Sequence, residues 1–459
     1  MIFSLRQLQE KCKEQQQPLY IAFIDLTKAF DLVSRDGLFK ILPLLGCPPK
    51  LLSFIKSFHD GSRGTVQYDG NRSEAFDINS GVKQGCVLAP TLFNIFFSVL
   101  LNHAFKSFEE GILIRSRSDG KLFNPARLRA KTKVRKVAIR DLLFADDVAL
   151  VAHSAEKLQL LLNQFSDAAE AFRLKISLKK TKVMCQANAA TPAVTIKDYT
   201  LEAVTQFTYL GSTTSNNNCL EVEIGKRIGK AATNMAKLSA RVWENKKLTT
   251  QTKVAVYRAC IVSTLLFGSE SWTTYASQEK RLNIFHMRCL RRILSISWTD
   301  KVSNNEVLAR ANIPSMFTLL RQRRLRWLGH VYRMEDGRIP KDLLYGELES
   351  GSRPIGRPKL RFKDVCKRDM LANGLPTDNW ELHAADRSDW RSVCSLALQA
   401  GEERLKAEAV DRRAKRRAEM NKATCVPVAC VFVCSGCGRV CRCRIGLFSH
   451  ERKFLSQLR

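Results

Sequence analysis

Two adjacent aspartates interrupt a run of residues that is otherwise apolar. The run LLFADDVALVA covers residues 142–152 and places Asp146 and Asp147 near its centre. Burying an ionised carboxylate costs several kcal/mol unless something compensates for the lost hydration. Adjacent residues of a strand point to opposite faces, so two such side chains converge on one site only at a tight turn between strands. The pattern predicts a β-hairpin with the aspartates at its turn, and an exposed Asp-rich turn with no metal is the alternative.

A third carboxylate ends another apolar run. The sequence LYIAFIDL, residues 19–26, alternates as a strand would, and we expect a helix to begin near Thr27. Four side chains are expected on one face of this strand: Leu19, Ile21, Phe23 and Asp25. Asp25 therefore lies at the end of a buried strand, where its charge also needs compensation.

The three aspartates together indicate a site for divalent cations. Carboxylate oxygens with no His or Cys nearby favour Mg²⁺ or Mn²⁺ over Zn²⁺. Two such ions, about 4 Å apart, activate a 3′-hydroxyl and stabilise a leaving pyrophosphate. We therefore predict that Asp25, Asp146 and Asp147 hold two Mg²⁺ (or Mn²⁺) ions for nucleotidyl transfer.

The charge of the chain indicates a polyanionic partner. Among 459 residues, 75 Lys and Arg against 44 Asp and Glu give a formal net charge of +31. Such a charge attracts nucleic acid by releasing its counterions, although a generic basic protein has the same composition. Residues 1–17 are polar and do not form a secretory signal. The longest apolar stretch, residues 87–101, is shorter than the roughly 20 residues of a membrane span, so no membrane association is expected.

Five segments occur in an order that is typical of one enzyme family. They read FIDLTKAFD (23–31), GVKQGCVLAPTLFN (81–94), FADD (144–147), LKISLKKTK (174–182) and FTYLG (207–211). This series resembles motifs A to D and the following hairpin of reverse transcriptases. The spellings KAFD, GVKQGCVLAP and FADD are similar to those of non-LTR (LINE-type) retrotransposons. The resemblance implies an RNA-directed DNA polymerase, a nucleotidyltransferase whose partners are an RNA template, a DNA primer and deoxynucleoside triphosphates.

The resemblance also implies roles for individual residues. Phe30 matches the sugar gate that favours deoxynucleotides, with a core phenylalanine as the alternative. Gln84 and Gly85 are expected near the template and the incoming base. Lys180 matches a proton donor to the pyrophosphate, although Lys175, Lys179 and Lys182 lie beside it. Asp31 is expected in the first turn of the helix after Thr27, where the helix dipole favours an acid, and is interpreted as structural.

The implied fold class is α+β, with several regions along the chain. Residues 1–215 are predicted to form a palm, an antiparallel sheet backed by helices, with only part of the fingers, since the first motif begins about twenty residues into the chain. Residues 216–345 are expected to form an all-helical thumb, and residues 346–424 a basic linker and helix. A basic loop is expected at residues 115–140. The predicted helices beyond residue 218 cover residues 221–243, 249–269, 279–296, 316–334 and 402–422.

Clustered arginines in the expected thumb suit phosphate binding. The segment RQRRLRWLGH, residues 321–330, combines guanidinium groups with an aromatic ring. A solvated basic helix face is the alternative. His330 is interpreted as an ordinary side chain, and residues 353–358 as a plain linker rather than a minor-groove binding element.

The last region, residues 425–459, is rich in cysteine. Cys434, Cys437 and His450 have the spacing of a Cys2His2 zinc finger, and the segment resembles the finger at the end of some retrotransposon proteins. No His or Cys follows His450, so the fourth ligand would have to be Cys430, Cys441 or Cys443, or the finger has decayed.

Two other functions remain open from the sequence. In one alternative to the polymerase, the chain is a catalytically silent, truncated or domesticated palm that still binds RNA or DNA. In the other, it is a zinc-finger nucleic-acid-binding regulator whose function lies after residue 400. As a retrotransposon polymerase it is expected inside the cell, in the nucleus, with a cytoplasmic RNA-bound stage.

Overall fold

The protein forms two compact units, Met1–Gln399 and Ala400–Arg459. Among the described residues, no helix is both long and apolar enough to cross a membrane. The computed structural model describes residues 1–106, 108, 110–130, 132–186, 193–354, 356, 358–425, 432–441 and 444–457.

Helices and short strands alternate in the first half of the chain, and helices dominate the second. The α-helices are α1 (Ile2–Glu14), α2 (Arg35–Leu44), α3 (Pro49–Ser57), α4 (Ala89–Phe105), α5 (Ala155–Ala171), α6 (Glu221–Lys237), α7 (Thr250–Val256), α8 (Ser263–Leu265), α9 (Ala276–Ile293), α10 (Asn304–Ala311), α11 (Met316–Tyr332), α12 (Ile339–Tyr345), α13 (Phe362–Ala372), α14 (Trp380–Ala385), α15 (Arg387–Cys425) and α16 (Arg444–Gln457). The strands are β1 (Leu19–Ile24), β2 (Leu26–Thr27), β3 (Arg63–Gly64), β4 (Gln67–Tyr68), β5 (Asn71–Arg72), β6 (Phe76–Asp77), β7 (Ile112–Ser116), β8 (Arg135–Ile139), β9 (Asp141–Phe144), β10 (Asp147–Ala152), β11 (Lys175–Ile176), β12 (Lys182–Gln186), β13 (Thr195–Ile196), β14 (Tyr199–Thr200), β15 (Glu202–Ala203), β16 (Gln206–Tyr209), β17 (Ser212–Ser215), β18 (Glu347–Leu348), β19 (Phe432–Val433) and β20 (Val440–Cys441).

A five-stranded sheet in the order β15-β12-β1-β10-β9 carries the first half of the chain. Strand β1 lies at its centre and pairs antiparallel with β10, with Tyr20 opposite Ala152 and Ile24 opposite Val148. The neighbouring pairs β1–β12 and β10–β9 are also antiparallel, whereas the edge pair β12–β15 is parallel. The predicted α+β class and the antiparallel centre of the sheet are confirmed.

The sheet is buried on both faces, and the alternate side chains of β1 enter two different cores. Leu19, Ile21 and Phe23 pack into one core together with residues of α1 and β7. Tyr20 and its alternate neighbours pack into a second core together with α4 and α5. Because β1 is covered on both sides, its end is held rigidly at the edge where Asp25 follows.

The apolar stretch 87–101 lies largely in α4, which follows the glycine-marked loop of residues 81–88. Pro90 lies in the first turn of this helix, where a missing N–H is harmless. Its apolar side chains contribute much of the core on one face of the sheet. Phe93, Phe96 and Leu100 are fully buried there. This helix therefore supports β1 and β10 from behind.

The predicted helix near Thr27 is wrong. Residues 26 and 27 form β2, which pairs antiparallel with β11, and this pairing keeps the backbone extended. Lys28 then adopts a positive φ of 47°, which is incompatible with a continuing helix. The next helix, α2, begins only at Arg35, where the Ser34 side chain accepts a hydrogen bond from Gly37 N.

The polar N-terminal segment folds into the buried helix α1, which its composition did not predict. Three of its polar side chains donate hydrogen bonds to distant backbone groups: Arg6 to Thr213 O at 3.0 Å, Gln9 to Ser215 O at 3.2 Å, and Lys11 to Gly346 O at 2.7 Å. Buried polar groups are tolerated when they are hydrogen-bonded in this way.

The expected basic loop at residues 115–140 is bounded by strands. Strands β7 and β8 pair antiparallel, from Ile112 opposite Ile139 to Ser116 opposite Arg135. Strand β18 adds to the other edge of β7. Between the two strands, Pro125–Arg129 form a 3-10 helix, so the basic loop prediction is correct only for the other described residues of 117–134.

The predicted helices beyond residue 218 are present, and they enclose further cores. Within the range expected to be a linker and helix, Phe362, Trp380 and Trp390 are buried and pack with Leu325 and Leu328 of α11. The domain boundaries stay a prediction, but residues 362–398 contribute to a hydrophobic core.

Candidate active site

The two adjacent aspartates lie at a hairpin turn between β9 and β10. Phe144 and Asp147 are opposite each other in the antiparallel register, so Ala145 and Asp146 form the turn itself. Ala145 adopts a φ of 52°, which the tight reversal requires. The predicted apolar strand, aspartate pair and apolar strand are confirmed.

Asp25 lies beside this turn because β1 pairs with β10. Ile24 is opposite Val148, so the residue after β1 adjoins the residue that begins β10. The backbone of Asp25 is fixed on both sides: its N–H donates to Thr181 Oγ1 at 3.3 Å, and its carbonyl accepts from Ser177 N at 2.8 Å. Thr181 is fully buried. The segments that resemble motifs A, C and D thus meet at one edge of the sheet.

The three carboxylates influence one another electrostatically. Burial raises the pKa of Asp147, and the charges of Asp146 and Asp25 raise it further. The Asp25 Oδ2 atom is buried and accepts no hydrogen bond from the described residues. Lys180 Nζ lies 3.5 Å from this oxygen. A divalent cation at this edge would bind the carboxylate directly and offset the repulsion between the three aspartates, so the residues present fit such an ion.

The aspartates are spaced more widely than a closed metal centre. Three potential ligand atoms within 4.8 Å of one another are found among the described residues at Cys434, Cys437 and His450. The three aspartates do not meet this criterion. Like charges at Asp25, Asp146 and Asp147 keep their carboxylates apart.

Lys180 is the lysine nearest to the aspartates in the segment 174–182. Its Nζ atom lies 3.5 Å from Asp25 Oδ2, and its side chain is 73% exposed. Lys182, by contrast, pairs with Glu202 at 2.5 Å on the other side of its strand. The geometry therefore favours Lys180 over Lys182 as the cation of this site, as predicted from the motif.

Phe30, five residues after Asp25 in the sequence, contacts the glycine-marked loop. The Phe30 ring stacks on Phe93 of α4, with centroids 4.2 Å apart and planes 19° apart, and Phe30 is only partly buried. Val82 N donates to Phe30 O at 2.9 Å. Gln84 and Gly85 follow in the loop and are exposed, and Gly85 has a φ of 88°. The structure thus brings the predicted sugar gate and the predicted template-contacting residues into one neighbourhood.

Asp31 is not in a helix, which corrects the reason for interpreting it as structural. It lies in the turn that follows β2, and its side chain is exposed. Its backbone carries the contacts: Asp31 O accepts from Ser80 Oγ at 3.1 Å, and a Cβ on Gly81 would lie 2.6 Å from the same oxygen. Gly81 is therefore required for this close approach, with a φ of 80° as well.

Two residues near the site were not identified from the sequence. Arg35 donates to Gly81 O at 2.9 Å and to Ile78 O at 2.8 Å, and so fixes the loop on the turn after β2. Tyr209 donates to Leu142 O at 2.9 Å beneath the β9–β10 hairpin. Burial, and then the charge of Asp147, raise the pKa of Tyr209 above its ordinary value. The sequence has no signal for Arg35, whereas Tyr209 lies inside the quoted segment FTYLG.

A family described as "Reverse transcriptase (RNA-dependent DNA polymerase)" matches residues 2–214, which contain the whole carboxylate site. The chain contains a reverse transcriptase domain. The interpretation of the motifs as those of a reverse transcriptase is therefore confirmed.

The relatives of this reverse transcriptase domain come from mobile elements. A transposon-derived protein of Caenorhabditis elegans is 26% identical, over 56% of this chain and 95% of the relative. The RNA-directed DNA polymerase from mobile element jockey of Drosophila melanogaster is 27% identical, over 60% of this chain and 28% of the relative. The Pol polyprotein from retrotransposable element R2DM of the same species is 30% identical, over 35% of this chain and 13% of the relative. The names of these relatives refer to a transposon, a mobile element and a retrotransposable element, which agrees with the resemblance of the motifs to those of retrotransposons. The chain spans only a minor part of the jockey and R2DM proteins.

Among solved structures, a Candida tropicalis telomerase is similar to this chain with a TM-score of 0.32 and 14% identity, over 46% of this chain and 37% of the telomerase. A Candida albicans telomerase is similar with a TM-score of 0.31 and 11% identity, over 70% of this chain and 49% of the telomerase.

In the second unit, the candidate zinc ligands gather around a short hairpin and a helix. Strands β19 and β20 pair antiparallel, and Gly438 N donates to Cys434 O at 2.9 Å. Cys434, Cys437 and His450 bring their ligand atoms within 4.8 Å of one another, and Cys437 Sγ lies 2.9 Å from His450 Nε2. Cys441 lies on β20 and is not in this group.

The electrostatics of Cys434 suit a metal ligand. Hydrogen bonds from the backbone of Gly436 and then of Cys437 lower the pKa of the Cys434 thiol, which favours the thiolate that binds metals. Two thiols and an imidazole are a donor set for Zn²⁺. The other candidates for the fourth ligand, Cys430 and Cys443, lie outside the described residues.

Proposed function

We propose that the protein is an RNA-directed DNA polymerase that extends a DNA primer along an RNA template with deoxynucleoside triphosphates. The observation that carries this proposal is the meeting of Asp25 with the Asp146–Asp147 turn at one edge of a buried sheet, inside a reverse transcriptase domain. Three carboxylates at one edge destabilise the fold unless a cation compensates for their charge. Nucleotidyl transfer uses such cations.

In the proposed mechanism, Asp25, Asp146 and Asp147 hold two Mg²⁺ (or Mn²⁺) ions. When bound, these ions lower the pKa of the primer 3′-hydroxyl and neutralise the charge that develops on the pyrophosphate. The pairing of β1 with β10 fixes the backbone on which Asp25 and Asp147 lie, so these residues would hold the ions without a large rearrangement.

The remaining residues of the site position the nucleotide. The Phe30 ring is held in place by stacking on Phe93. In this proposal the ring occupies the space that the 2′-hydroxyl of a ribonucleotide would need. Gln84 and Gly85 are exposed in the adjoining loop and contact the template and the incoming base. Lys180, beside Asp25, gives a proton to the departing pyrophosphate.

The second unit is proposed to be a zinc-dependent element that binds nucleic acid. Cys434, Cys437 and His450 supply three ligands of a structural Zn²⁺ site. A fourth ligand completes a tetrahedral site, and Cys441 is the described cysteine nearest to the group in sequence.

Primer extension on an RNA template with Mg²⁺ tests the polymerase proposal. We expect extension by the wild type and a loss of about 10³-fold or more in Asp146→Asn, because a metal that stabilises transition-state charge contributes several kcal/mol. Asp31→Asn is the matched control, since it removes an exposed carboxylate from the neighbouring turn and should retain activity.

The same assay separates the alternative and the individual roles. A wild type that binds primer–template but does not extend it would favour the catalytically silent palm. Phe30→Val should allow ribonucleotides to be incorporated, and Lys180→Met should slow extension by roughly 10²-fold, the usual effect of losing a general acid. Equal nucleotide selectivity in Phe30→Val would contradict the sugar-gate role.

A further inference from the structure

A basic cleft lies between α11 and the start of α15, both within Met1–Gln399. Its cavity has a volume of about 400 Å³. Six side chains line it: Arg326, His330, Arg333, Arg387, Trp390 and Arg391. These residues come from two segments that are far apart in the sequence, and no acidic side chain is among those that line the cavity in the described chain.

The cleft is built by an unusually close contact between the two helices. A Cβ on Gly329 would lie 2.4 Å from Trp390 Cδ1 and Nε1, so glycine is required there. Trp390 is 2% exposed, and its Nε1 donates to Leu325 O at 2.8 Å. This contact fixes the arginines of α11 opposite those of α15 in the folded protein.

The arginines of the cleft repel one another. After the effect of burial, Arg391 lowers the pKa of Arg326, and Arg387 lowers the pKa of Arg333. His330 has a lowered pKa from burial and from the charges of Arg333 and Arg387. A group of cations that destabilise one another is stabilised by a bound anion.

The nearest acids do not neutralise this cluster. Asp386 acts favourably on Arg333, but its carboxylate also accepts from Ser388 Oγ at 2.7 Å and from Asp389 N at 2.6 Å. Asp389 pairs with His383 at 2.9 Å. One carboxylate against four guanidinium groups leaves the cleft strongly positive.

A neighbouring arginine, Arg324, has a structural role and differs from the cleft arginines in its burial and ion pairs. Arg324 is fully buried, lies 2.8 Å from Asp369 and 3.2 Å from Glu279, and donates to Thr274 Oγ1. Within the segment 321–330, the structure thus separates a neutralised internal arginine from the exposed Arg326 of the cleft. Arg333 donates one hydrogen bond to Ala384 O at 2.7 Å and so also has a structural role. The other three cleft arginines, Arg326, Arg387 and Arg391, are exposed and fit an external partner better than a structural role.

We propose that this cleft binds the phosphate backbone of nucleic acid, at a site separate from the carboxylates of the palm. Guanidinium groups match phosphate oxygens in pairs of hydrogen bonds, which lysine does not reproduce. Trp390 is buried and offers no face for base stacking, so the contact reads phosphates and not bases. The proposal does not require polymerase activity.

Binding of a fluorescent single-stranded RNA by the full chain, followed by anisotropy at several salt concentrations, tests the proposal. Arg387→Glu combined with Arg391→Glu should weaken binding by roughly tenfold or more and reduce the salt dependence, because fewer counterions are released. Duplex DNA of the same length forms a second arm and shows whether the cleft prefers single strands or duplexes. This binding assay needs no primer extension, so failure of the catalytic proposal would leave its outcome unchanged and can be distinguished from failure of this one.

The matched control is Lys40→Glu combined with Lys50→Glu, which makes the same change in net charge at two exposed lysines of α2 and α3. An equal loss of affinity in this control would overturn the proposal, and so would unchanged affinity in the arginine variant. Helical content and thermal midpoint are measured for each variant. The pair Arg387→Lys and Arg391→Lys should keep the salt dependence but lose affinity, since charge remains and paired hydrogen bonds do not.

Discussion

The two candidate metal sites of this protein are assembled in opposite ways. Asp25 and the Asp146–Asp147 turn are far apart in the sequence and meet because buried strands pair, with cores on both faces of the sheet. Cys434, Cys437 and His450 lie within one short segment and meet around a two-residue strand pair and a helix. Packing therefore holds the first site without a metal. The described residues after 399 contribute to none of the hydrophobic cores, and we propose that the second site depends on the ion.

The largest expected effect follows from removing metal from the second site. Chelation of Zn²⁺, or Cys437→Ser, should unfold the segment 432–457, because binding at a structural site of this kind contributes about 10 kcal/mol or more. Hydrogen exchange of this segment should rise to that of an unfolded chain, while strands β1 and β10 keep their protection. Cys260→Ser, at an exposed free thiol, is the control. Equal protection of the segment with and without chelator would show that its fold does not depend on metal.

The difference between the two sites explains what the sequence could predict. The Asp-Asp turn and the ligand spacing of the tail are local patterns, and both were found. The alternation of Leu19, Ile21 and Phe23 also predicted which residues share a core. Such periodic signals are reliable because one buried face determines them.

Long-range pairing accounts for what the sequence did not predict. The helix expected near Thr27 is replaced by β2, because its partner β11 lies in a distant segment. Helix α1 looks too polar to be buried until its partners in residues 212–215 and 346 are known. The clamp by Arg35 on the loop before Gly81 has no local signature either. Wherever a contact partner is remote in the chain, local propensity alone is insufficient.

Gly81→Ala should destabilise the region of the palm site through a steric clash and without removing a metal ligand. It therefore tests whether packing, and not a metal ion, holds this site together. The new Cβ would lie 2.6 Å from Asp31 O at a φ of 80°, which together should cost roughly 2–4 kcal/mol of unfolding free energy. Urea unfolding with and without Mg²⁺ measures this loss, which should be similar in both conditions. Gly70→Ala is the control, with a φ of 78° but no atom within 4 Å of the new Cβ, so only backbone strain of about 1 kcal/mol is expected. A loss in Gly81→Ala no greater than in Gly70→Ala would contradict the close approach.

The smallest expected effect concerns repulsion between the three carboxylates, which lowers the free energy of unfolding when no divalent ion is bound. The pKa of Asp147 is raised by burial and by Asp146 and Asp25, so the folded state binds a proton more readily than the unfolded state. Stability from this group therefore increases as the pH falls through the raised pKa and is lost at higher pH. In chelator at neutral pH, Asp147→Asn should raise the thermal midpoint by about 1–2 °C, the usual scale of a surface substitution.

Two conditions should abolish that difference, and they decide the cause. Below the raised pKa of Asp147 the wild type is protonated at this position, so its midpoint should approach that of the variant. Mg²⁺ should raise the midpoint of the wild type and not of Asp147→Asn, because the ion relieves the repulsion only where the third carboxylate is present. Asp31→Asn, at an exposed carboxylate in the neighbouring turn, should show neither dependence. If Asp147→Asn were less stable than the wild type in chelator at neutral pH, the aspartates would be held by contacts other than those with a cation, and the contrast with the cysteine site would fail.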